Sequence, residues 1–74
     1  MREIIFCNLE AELSRAKIIK AELAAMIGIS AGTLSSKLTG KTEFALDEME
    51  IIKARLEKIT GNELTMDYLF ERGN

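Results

Sequence analysis

The stretch GISAGTLSSKLTGK, residues 28–41, carries the clearest structural signal in this 74-residue chain. Gly28 can adopt the positive φ of a tight turn, and Ser30 is a good N-cap for a short helix. On that helix Leu34 and Leu38 lie on one face, because residues four apart in a helix are neighbours. The other face carries small and hydroxyl residues, whereas a helix that only had to be soluble would carry Glu and Lys. We therefore expect this polar face to have a function.

The composition predicts a single small globular domain over residues 1–74. Hydrophobic residues make up 47% of the chain and charged residues 30%. A chain of this length buries only about 60% of its unfolded surface, so it gains stability from a partner. No apolar run approaches the roughly 18 residues that cross a membrane, and charge interrupts the N-terminal segment too early for a secretory leader. A single cysteine fits a reducing compartment, and we expect a cytoplasmic protein without a membrane partner.

No pattern in the sequence indicates catalysis. Cys7 has no histidine to activate it, because the chain contains none, and a packing role in a helix is expected. Asp47, Glu48 and Glu50 fit the first turn of a helix, where carboxylates favour the helix dipole, better than a metal or acid–base site. Residues 39–41, TGK, lack the spacing of a phosphate loop. We expect no enzyme activity, catalytic residue, metal, cofactor or small-molecule substrate.

The charge is unevenly distributed along the chain. The net charge is −2, but residues 15–42 hold five basic residues and one acidic residue, a net +4. From Glu43 onward, four basic residues stand against eight acidic ones, a net −4. Such an asymmetry can orient a molecule on a polyanion, although ordinary surface charge explains it as well.

Apolar residues recur at helical spacing, and strand-like alternation is absent. The inward residues of the fourth helix are expected to be Leu46, Met49, Ile52, Leu56 and Ile59. Gly40 and Gly61 are expected to end helices in the left-handed conformation, and Thr65 is expected to cap the last helix. We predict four to five short helices, over residues 3–16, from about Lys20 to Gly28, from Ser30 to Leu38, over Leu46–Thr60 and over residues 65–72.

Two helices joined by a Gly-Ile-Ser turn form the central pattern, in residues 21–38. Ala24 is small where the two helices meet, Gly28 permits the tight turn, and Ile29 fills the junction. This set predicts a helix-turn-helix, whose second helix lies in a DNA major groove. A generic helical hairpin shares any one of these features but not the whole set.

The chain resembles the phage repressor and Cro family of helix-turn-helix proteins, the XRE type. AELAAMIGIS (residues 21–30) resembles the family's second helix and turn, GTLSSKLTGKTEF (32–44) its recognition helix and loop, and LTMDYLF (64–70) its closing helix. The matches span roughly residues 8–70. The resemblance implies an all-α, lambda-repressor-like domain that binds operator duplex DNA as a homodimer and regulates transcription of phage or prophage genes.

The resemblance also implies a set of functional positions. Bases are read from the first, second and sixth residues of the recognition helix, and phosphates from the start of the second helix and the loop after the third. Helix geometry agrees in part, since Gly32 and Ser36 point away from the core, flanked by Thr33, Ser35 and Thr39. The predicted base-reading residues are Ala31, Gly32, Thr33, Ser35 and Ser36, and the predicted phosphate contacts are Lys20, Lys37, Lys41 and Thr42.

The chain departs from the family pattern at several positions. Ala31 and Gly32 are smaller than the family's usual Gln, Arg or Asn, so readout relies on short side chains and on DNA shape. Ile19 replaces the usual N-cap of the second helix. Residues 57–63 lengthen the segment before the closing helix. The acidic balance and the bare recognition helix leave an alternative, an antirepressor-type protein-interaction module that no longer binds DNA.

Overall fold

The computed structural model describes residues 5–72, which contain five helices and no strand. The predicted all-α fold is therefore confirmed. The helices are α1 (Cys7–Arg15), α2 (Lys20–Ile27), α3 (Ala31–Leu38), α4 (Leu46–Thr60) and α5 (Met66–Leu69). No helix within residues 5–72 is long and apolar enough to cross a membrane.

The turn between α2 and α3 has the predicted geometry. Gly28 has φ +75°, and the next residue, Ile29, donates its N–H to the carbonyl of Ala24 at 3.0 Å. Ser30 caps α3, because its Oγ accepts the N–H of Thr33 at 3.1 Å. α2 and α3 pack against each other around this turn. The helix-turn-helix predicted from residues 21–38 is thus confirmed as a structural unit.

Acidic side chains cap two helices that lack a capping residue at the N-cap position. Ile19 offers no side-chain cap to α2, as predicted, and its N–H bonds to Glu22 Oε1 at 3.1 Å. In the same way the N–H of Ala45, before α4, bonds to Glu48 Oε1 at 2.9 Å. Each glutamate satisfies one backbone donor that the helix leaves unpaired.

The core lies between all five helices. Leu34 and Leu38 are 1% and 2% exposed, which confirms the inward face predicted for α3. Three phenylalanine rings close one end, with centroids 5.4–5.8 Å apart and tilted or edge-on geometry, an arrangement that aromatic pairs favour. The buried hydrophobic residues are Phe6, Leu9, Leu13, Leu23, Ala24, Leu34, Leu38, Phe44, Ile52, Leu56, Leu64 and Leu69.

The first helix is shorter than predicted within the described chain. It begins at Cys7, because Phe6 has the non-helical angles φ −104° and ψ 74°. Residues 3 and 4 of the predicted helix lie outside the described residues. Cys7 is exposed, so the packing role predicted for it is wrong. The reason is helical rotation: Cys7 is two residues, about 200°, from the buried Leu9.

α4 has the predicted bounds but a narrower apolar face. Ile52 and Leu56 are fully buried, whereas Leu46 and Ile59 are 63% and 48% exposed, so their predicted inward placement is wrong. Leu46 is six residues before Ile52, which turns it about 120° away from the core. Ile59 is seven residues after Ile52 and so lies on nearly the same side, but it belongs to the last turn of α4, after which residues 61–63 are exposed.

α1 ends in a motif that could not be predicted from the sequence. Lys17 has φ +60° and donates its N–H to the carbonyl of Ser14 at 3.1 Å, and Ile18 donates to the carbonyl of Leu13 at 2.9 Å. These two bonds define a Schellman motif, with lysine at the position that glycine usually occupies. The motif turns the chain from α1 toward the start of α2.

Candidate nucleic-acid interface

The first turn of α3 presents an exposed surface of small residues. Ala31, Gly32 and Thr33 are exposed, whereas the next residue, Leu34, is buried. The Ser30 hydroxyl donates to Thr33 Oγ1 at 2.9 Å. Because Thr33 accepts in this bond, its own hydroxyl hydrogen can still be donated outward.

Gly32 has no evident role within the folded chain. A Cβ added to it would meet no described atom within 4 Å apart from its chain neighbours and the backbone of its own helix, and its φ is not positive. A glycine inside a helix nevertheless costs about 1 kcal/mol relative to alanine. The chain therefore carries a destabilising residue on its exposed helix where folding has no need of it.

The second half of α3 is tied to the loop that follows it. The Ser36 carbonyl accepts the N–H of Lys41 at 2.9 Å and that of Thr42 at 3.3 Å. The Thr39 hydroxyl donates to the carbonyl of Ser35 at 3.0 Å. Ser35 and Ser36 are half-buried, and Lys41 and Thr42 are exposed. The structure therefore brings three predicted site residues, Ser36, Lys41 and Thr42, into direct contact.

Lys20 and Lys41 are the exposed lysines among the predicted phosphate contacts. The Lys20 Nζ lies 3.8 Å from Glu10 Oε2, and its side chain is 54% exposed. An exposed pair at this distance contributes little, so Lys20 can exchange it for another anion. The described residues give Lys41 no ion pair. No hydrogen bond or ion pair in this part of the chain links Lys20 to α3 or to the loop after it.

Lys37 is largely covered, and its ammonium group is paired within the molecule. Its Nζ lies 2.9 Å from Glu48 Oε1 and donates to the carbonyl of Glu43 at 3.1 Å, and its side chain is only 12% exposed. The hydrogen bond from the Ala45 N–H, followed by that from Lys37, lowers the pKa of Glu48. This position does not match the phosphate role predicted for Lys37, because the ion pair joins α3 to α4.

Lys17 is a basic residue that the sequence prediction did not include in the site. It is exposed, three residues before Lys20, and has no ion pair with another residue in 5–72. Arg15 and Lys37, by contrast, lie within 3 Å of a carboxylate, at 2.7 and 2.9 Å. The uneven distribution of charge along the sequence was the signal that could have identified Lys17. Of the five cations in the basic part of the sequence, Lys17, Lys20 and Lys41 are the ones left to attract an anion.

The described residues offer no metal site, since no group of three or more Cys, Asp or Glu side chains within them could hold an ion.

Comparison with known proteins found no family model, no curated protein and no solved structure that matches the chain.

Proposed function

We propose that this chain is a sequence-specific duplex DNA-binding regulator of transcription, of the Cro or repressor type, that acts as a homodimer by occupying operator DNA. The observation that carries the proposal is Gly32. It lies on the exposed face of the second helix of a helix-turn-helix and costs helix stability without a steric reason in the chain. A residue without a side chain allows a helix backbone to approach base edges closely.

Phosphate contacts supply most of the affinity in this proposal. Lys20, Lys41 and Thr42 keep the role predicted for them, and the exposed Lys17 is added. Lys37 is left out because Glu48 already pairs with it. Each lysine that neutralises a phosphate releases condensed counterions, so binding weakens steeply as salt increases.

Short side chains on α3 supply the sequence preference. The Ala31 methyl suits the C5-methyl of thymine, and the hydroxyls of Thr33 and Ser36 can donate to or accept from base edges. Ser35, half-buried beside them, completes the reading surface. None of these side chains reaches far, so part of the specificity comes from the shape and deformability of the DNA.

The electrostatic part of the proposal is tested with a matched pair of lysine variants. Lys20→Gln and Lys53→Gln each remove one positive charge and one ion pair, at 3.8 and 3.2 Å respectively. Binding to a labelled random duplex is measured by fluorescence anisotropy over a salt series. We expect Lys20→Gln to reduce the slope of log K against log salt by about 1, and Lys53→Gln to leave it unchanged. Equal slopes for both variants would contradict the proposal.

The base-reading part is tested by selecting binding sites from random duplexes. Ser36→Ala is expected to change the preference at one or two positions, because it removes the hydroxyl without disturbing the helix. Lys20→Gln is the control and is expected to weaken binding to all sequences alike. An unchanged consensus for Ser36→Ala removes Ser36 from the reading surface.

One observation favours a second candidate, a helix-turn-helix module that binds another protein and has lost DNA. In the basic segment, residues 15–42, Arg15 and Lys37 are neutralised within the chain, and Lys20 has a weak pair with Glu10. This leaves Lys17 and Lys41 as the unpaired cations of that segment, on an acidic protein. The salt series separates the two candidates. A steep slope supports DNA binding, and no binding to duplex DNA at low salt supports the protein partner.

A further inference from the structure

Most of the large hydrophobic side chains that are exposed in the described chain lie on α4. The large hydrophobic side chains that are exposed are Ile19, Leu46, Ile51 and Ile59, and the last three belong to this helix. α5 offers less, because Leu69 is fully buried and the Phe70 ring packs on Phe6 and Phe44. Single exposed hydrophobic residues are ordinary, so their arrangement has to carry any inference.

Two of these residues belong to one continuous row of side chains. Asp47, Ile51, Arg55 and Ile59 follow each other at intervals of four residues, and such residues form a ridge along a helix. We call them the α4 ridge. It is about 18 Å long, given a rise of about 1.5 Å per residue. Its sequence alternates acidic, apolar, basic and apolar side chains.

The charges of the α4 ridge have no partner within the described residues. Neither Asp47 nor Arg55 forms an ion pair there, and both are exposed. Glu48 and Lys53 on the same helix are paired, with Lys37 and Glu57 respectively. The exposed Glu50 and Lys58 have no ion pair in the described chain either, but they lie outside the row that contains Ile51. The ridge thus combines an exposed apolar side chain with a free charge of each sign on either side of it.

We infer that the α4 ridge binds the same ridge of a second copy of this chain, side by side and antiparallel. On a two-fold axis through Ile51, Ile51 meets Ile51 of the second copy. Asp47 then lies beside Arg55 of the second copy, and Arg55 beside its Asp47. Such a contact is isologous, because the same surface serves both copies.

Other alignments of the two ridges match less well. A parallel arrangement places Asp47 beside Asp47 and Arg55 beside Arg55, and like charges repel. An antiparallel arrangement centred on Arg55 places two arginines together. An antiparallel arrangement whose two-fold axis passes midway between Ile51 and Arg55 places each isoleucine of the ridge beside a charged residue of the second copy. The alignment centred on Ile51 is therefore the one in which Asp47, Ile51 and Arg55 all find complements. Ile59 then lies beyond the end of the second copy's ridge.

This inference adds to the proposed function the surface through which the homodimer forms. It rests on the proposed function only for the role of the dimer on DNA. The surface itself is tested without DNA, by sedimentation equilibrium from about 10 µM to about 1 mM. We expect reversible dimers in the wild-type chain. A chain that stays monomeric over this range overturns the inference.

A charge swap tests the alignment. Asp47→Arg and Arg55→Asp each place like charges together at two symmetric positions, and each is expected to weaken the dimer about tenfold. The double variant is expected to restore wild-type association. The two residues are eight positions, about 12 Å, apart along one helix, so this rescue has to occur between chains. A double variant no better than the single ones overturns the alignment.

Two controls separate the ridge from the rest of α4. Glu50→Arg changes the same charge as Asp47→Arg but lies about 100° around the helix from Ile51, so it is expected to leave the dimer unchanged. Leu46→Ala is the apolar control for Ile51→Ala, since both residues are exposed but only Ile51 lies on the ridge. If both controls weaken association as much as their partners, the ridge is not the interface. Circular dichroism checks that every variant is folded.

The binding assays keep this inference distinct from the proposed function. A monomeric wild-type chain with steep salt-dependent DNA binding overturns the α4 ridge alone. A dimer that the charge swap disrupts and restores, but that binds no duplex at low salt, supports the ridge and contradicts the DNA proposal.

Discussion

The phenolic hydroxyl of Tyr68 in α5 donates a hydrogen bond of 2.8 Å to Glu12 Oε2 in α1, 56 positions away in sequence. The same oxygen also accepts a hydrogen bond of 2.7 Å from Arg15 Nη1. Glu12 is only 2% exposed, and its Oε1 has no partner in the described chain. Asn8 adds a bond of 2.9 Å to the Tyr68 carbonyl. The closing helix is therefore fixed to α1 by polar contacts as well as by the buried Leu69.

Replacing Tyr68 with phenylalanine is expected to lower the melting temperature by several degrees. The ring remains, but Glu12 loses one of its two donors, and a buried carboxylate with fewer hydrogen bonds destabilises the fold. Thermal unfolding followed by circular dichroism measures the change. Asp67→Asn, at the exposed neighbouring position, is the control and is expected to have almost no effect. Equal melting temperatures for wild type and Tyr68→Phe would show that the bond contributes nothing.

The same hydrogen bond makes the stability of the fold depend on pH in the alkaline range. The hydrogen bond to Glu12, followed by desolvation, raises the pKa of Tyr68 above its ordinary value of 10.0. A group with a raised pKa in the folded state contributes stability that is fully present below its unfolded pKa and is lost as the pH rises through its folded pKa. The wild type is therefore expected to lose stability more steeply than Tyr68→Phe above about pH 10. Because Tyr68 is the chain's single tyrosine, tyrosinate absorbance reports its titration directly.

Gly32→Ala is expected to stabilise the protein and to weaken its binding to DNA. Its added Cβ meets no neighbour, and alanine in a helix is favoured by about 1 kcal/mol over glycine. The methyl group would nevertheless stand between the helix backbone and base edges in the proposed complex. Urea unfolding and anisotropy binding measure the two effects separately. A variant that is more stable and binds duplex DNA unchanged would remove close backbone approach as the reason for this glycine.

Gly28→Ala is the matched control for that experiment. Gly28 also has open space around an added Cβ, but its φ of +75° disfavours any L side chain. We expect Gly28→Ala to destabilise the fold by about 1–2 kcal/mol, the opposite sign from Gly32→Ala. If both variants shift stability in the same direction, the backbone conformation does not decide the outcome.

Features that depend on a few neighbouring residues were predicted well from the sequence. The bounds of α4, the left-handed residues Gly28 and Gly61, and the Ser30 cap all follow from signals within one or two helical turns. Such signals act through local backbone hydrogen bonds and φ preferences, which the sequence contains directly. The helix-turn-helix is a sum of these local features, so it could be predicted as well.

Features that depend on distant side chains were not predicted. Lys37 was assigned to a phosphate, but Glu48, eleven positions later, holds it against α4. The Tyr68–Glu12 bond joins two ends of the chain, and neither residue's type indicates its partner. The exposure of Ile59, which helical rotation places on nearly the same side as Ile52, depends on which turns of α4 the other helices cover. These are tertiary outcomes, and helical periodicity alone does not contain them.

Gly40→Ala is expected to destabilise the fold mainly through its backbone conformation, and to a smaller extent through contact with the end of the flexible Ile5 side chain. Its φ is +87°, which costs an L residue about 1–2 kcal/mol, and an added Cβ would lie 2.8 Å from Ile5 Cδ1. A double-mutant cycle with Ile5→Ala separates the two causes. The cost of Gly40→Ala should fall in the Ile5→Ala background, because only the steric contact is removed. An unchanged cost would assign the whole effect to backbone strain.

Substitution by methionine is expected to lower the stability at Lys37 and to reduce the salt dependence of DNA binding at Lys41. Lys37→Met leaves Glu48 without its ion-pair partner, so we expect a loss of stability of about 1 kcal/mol. The salt slope of DNA binding should not change, because Lys37 takes no phosphate in the proposed complex. Lys41→Met is expected to leave stability within about 0.5 kcal/mol of wild type and to reduce the salt slope by about 1. Urea unfolding and binding over a salt series measure both variants. A reduced slope for Lys37→Met would mean that Glu48 releases Lys37 when DNA binds, and would return this lysine to the phosphate contacts.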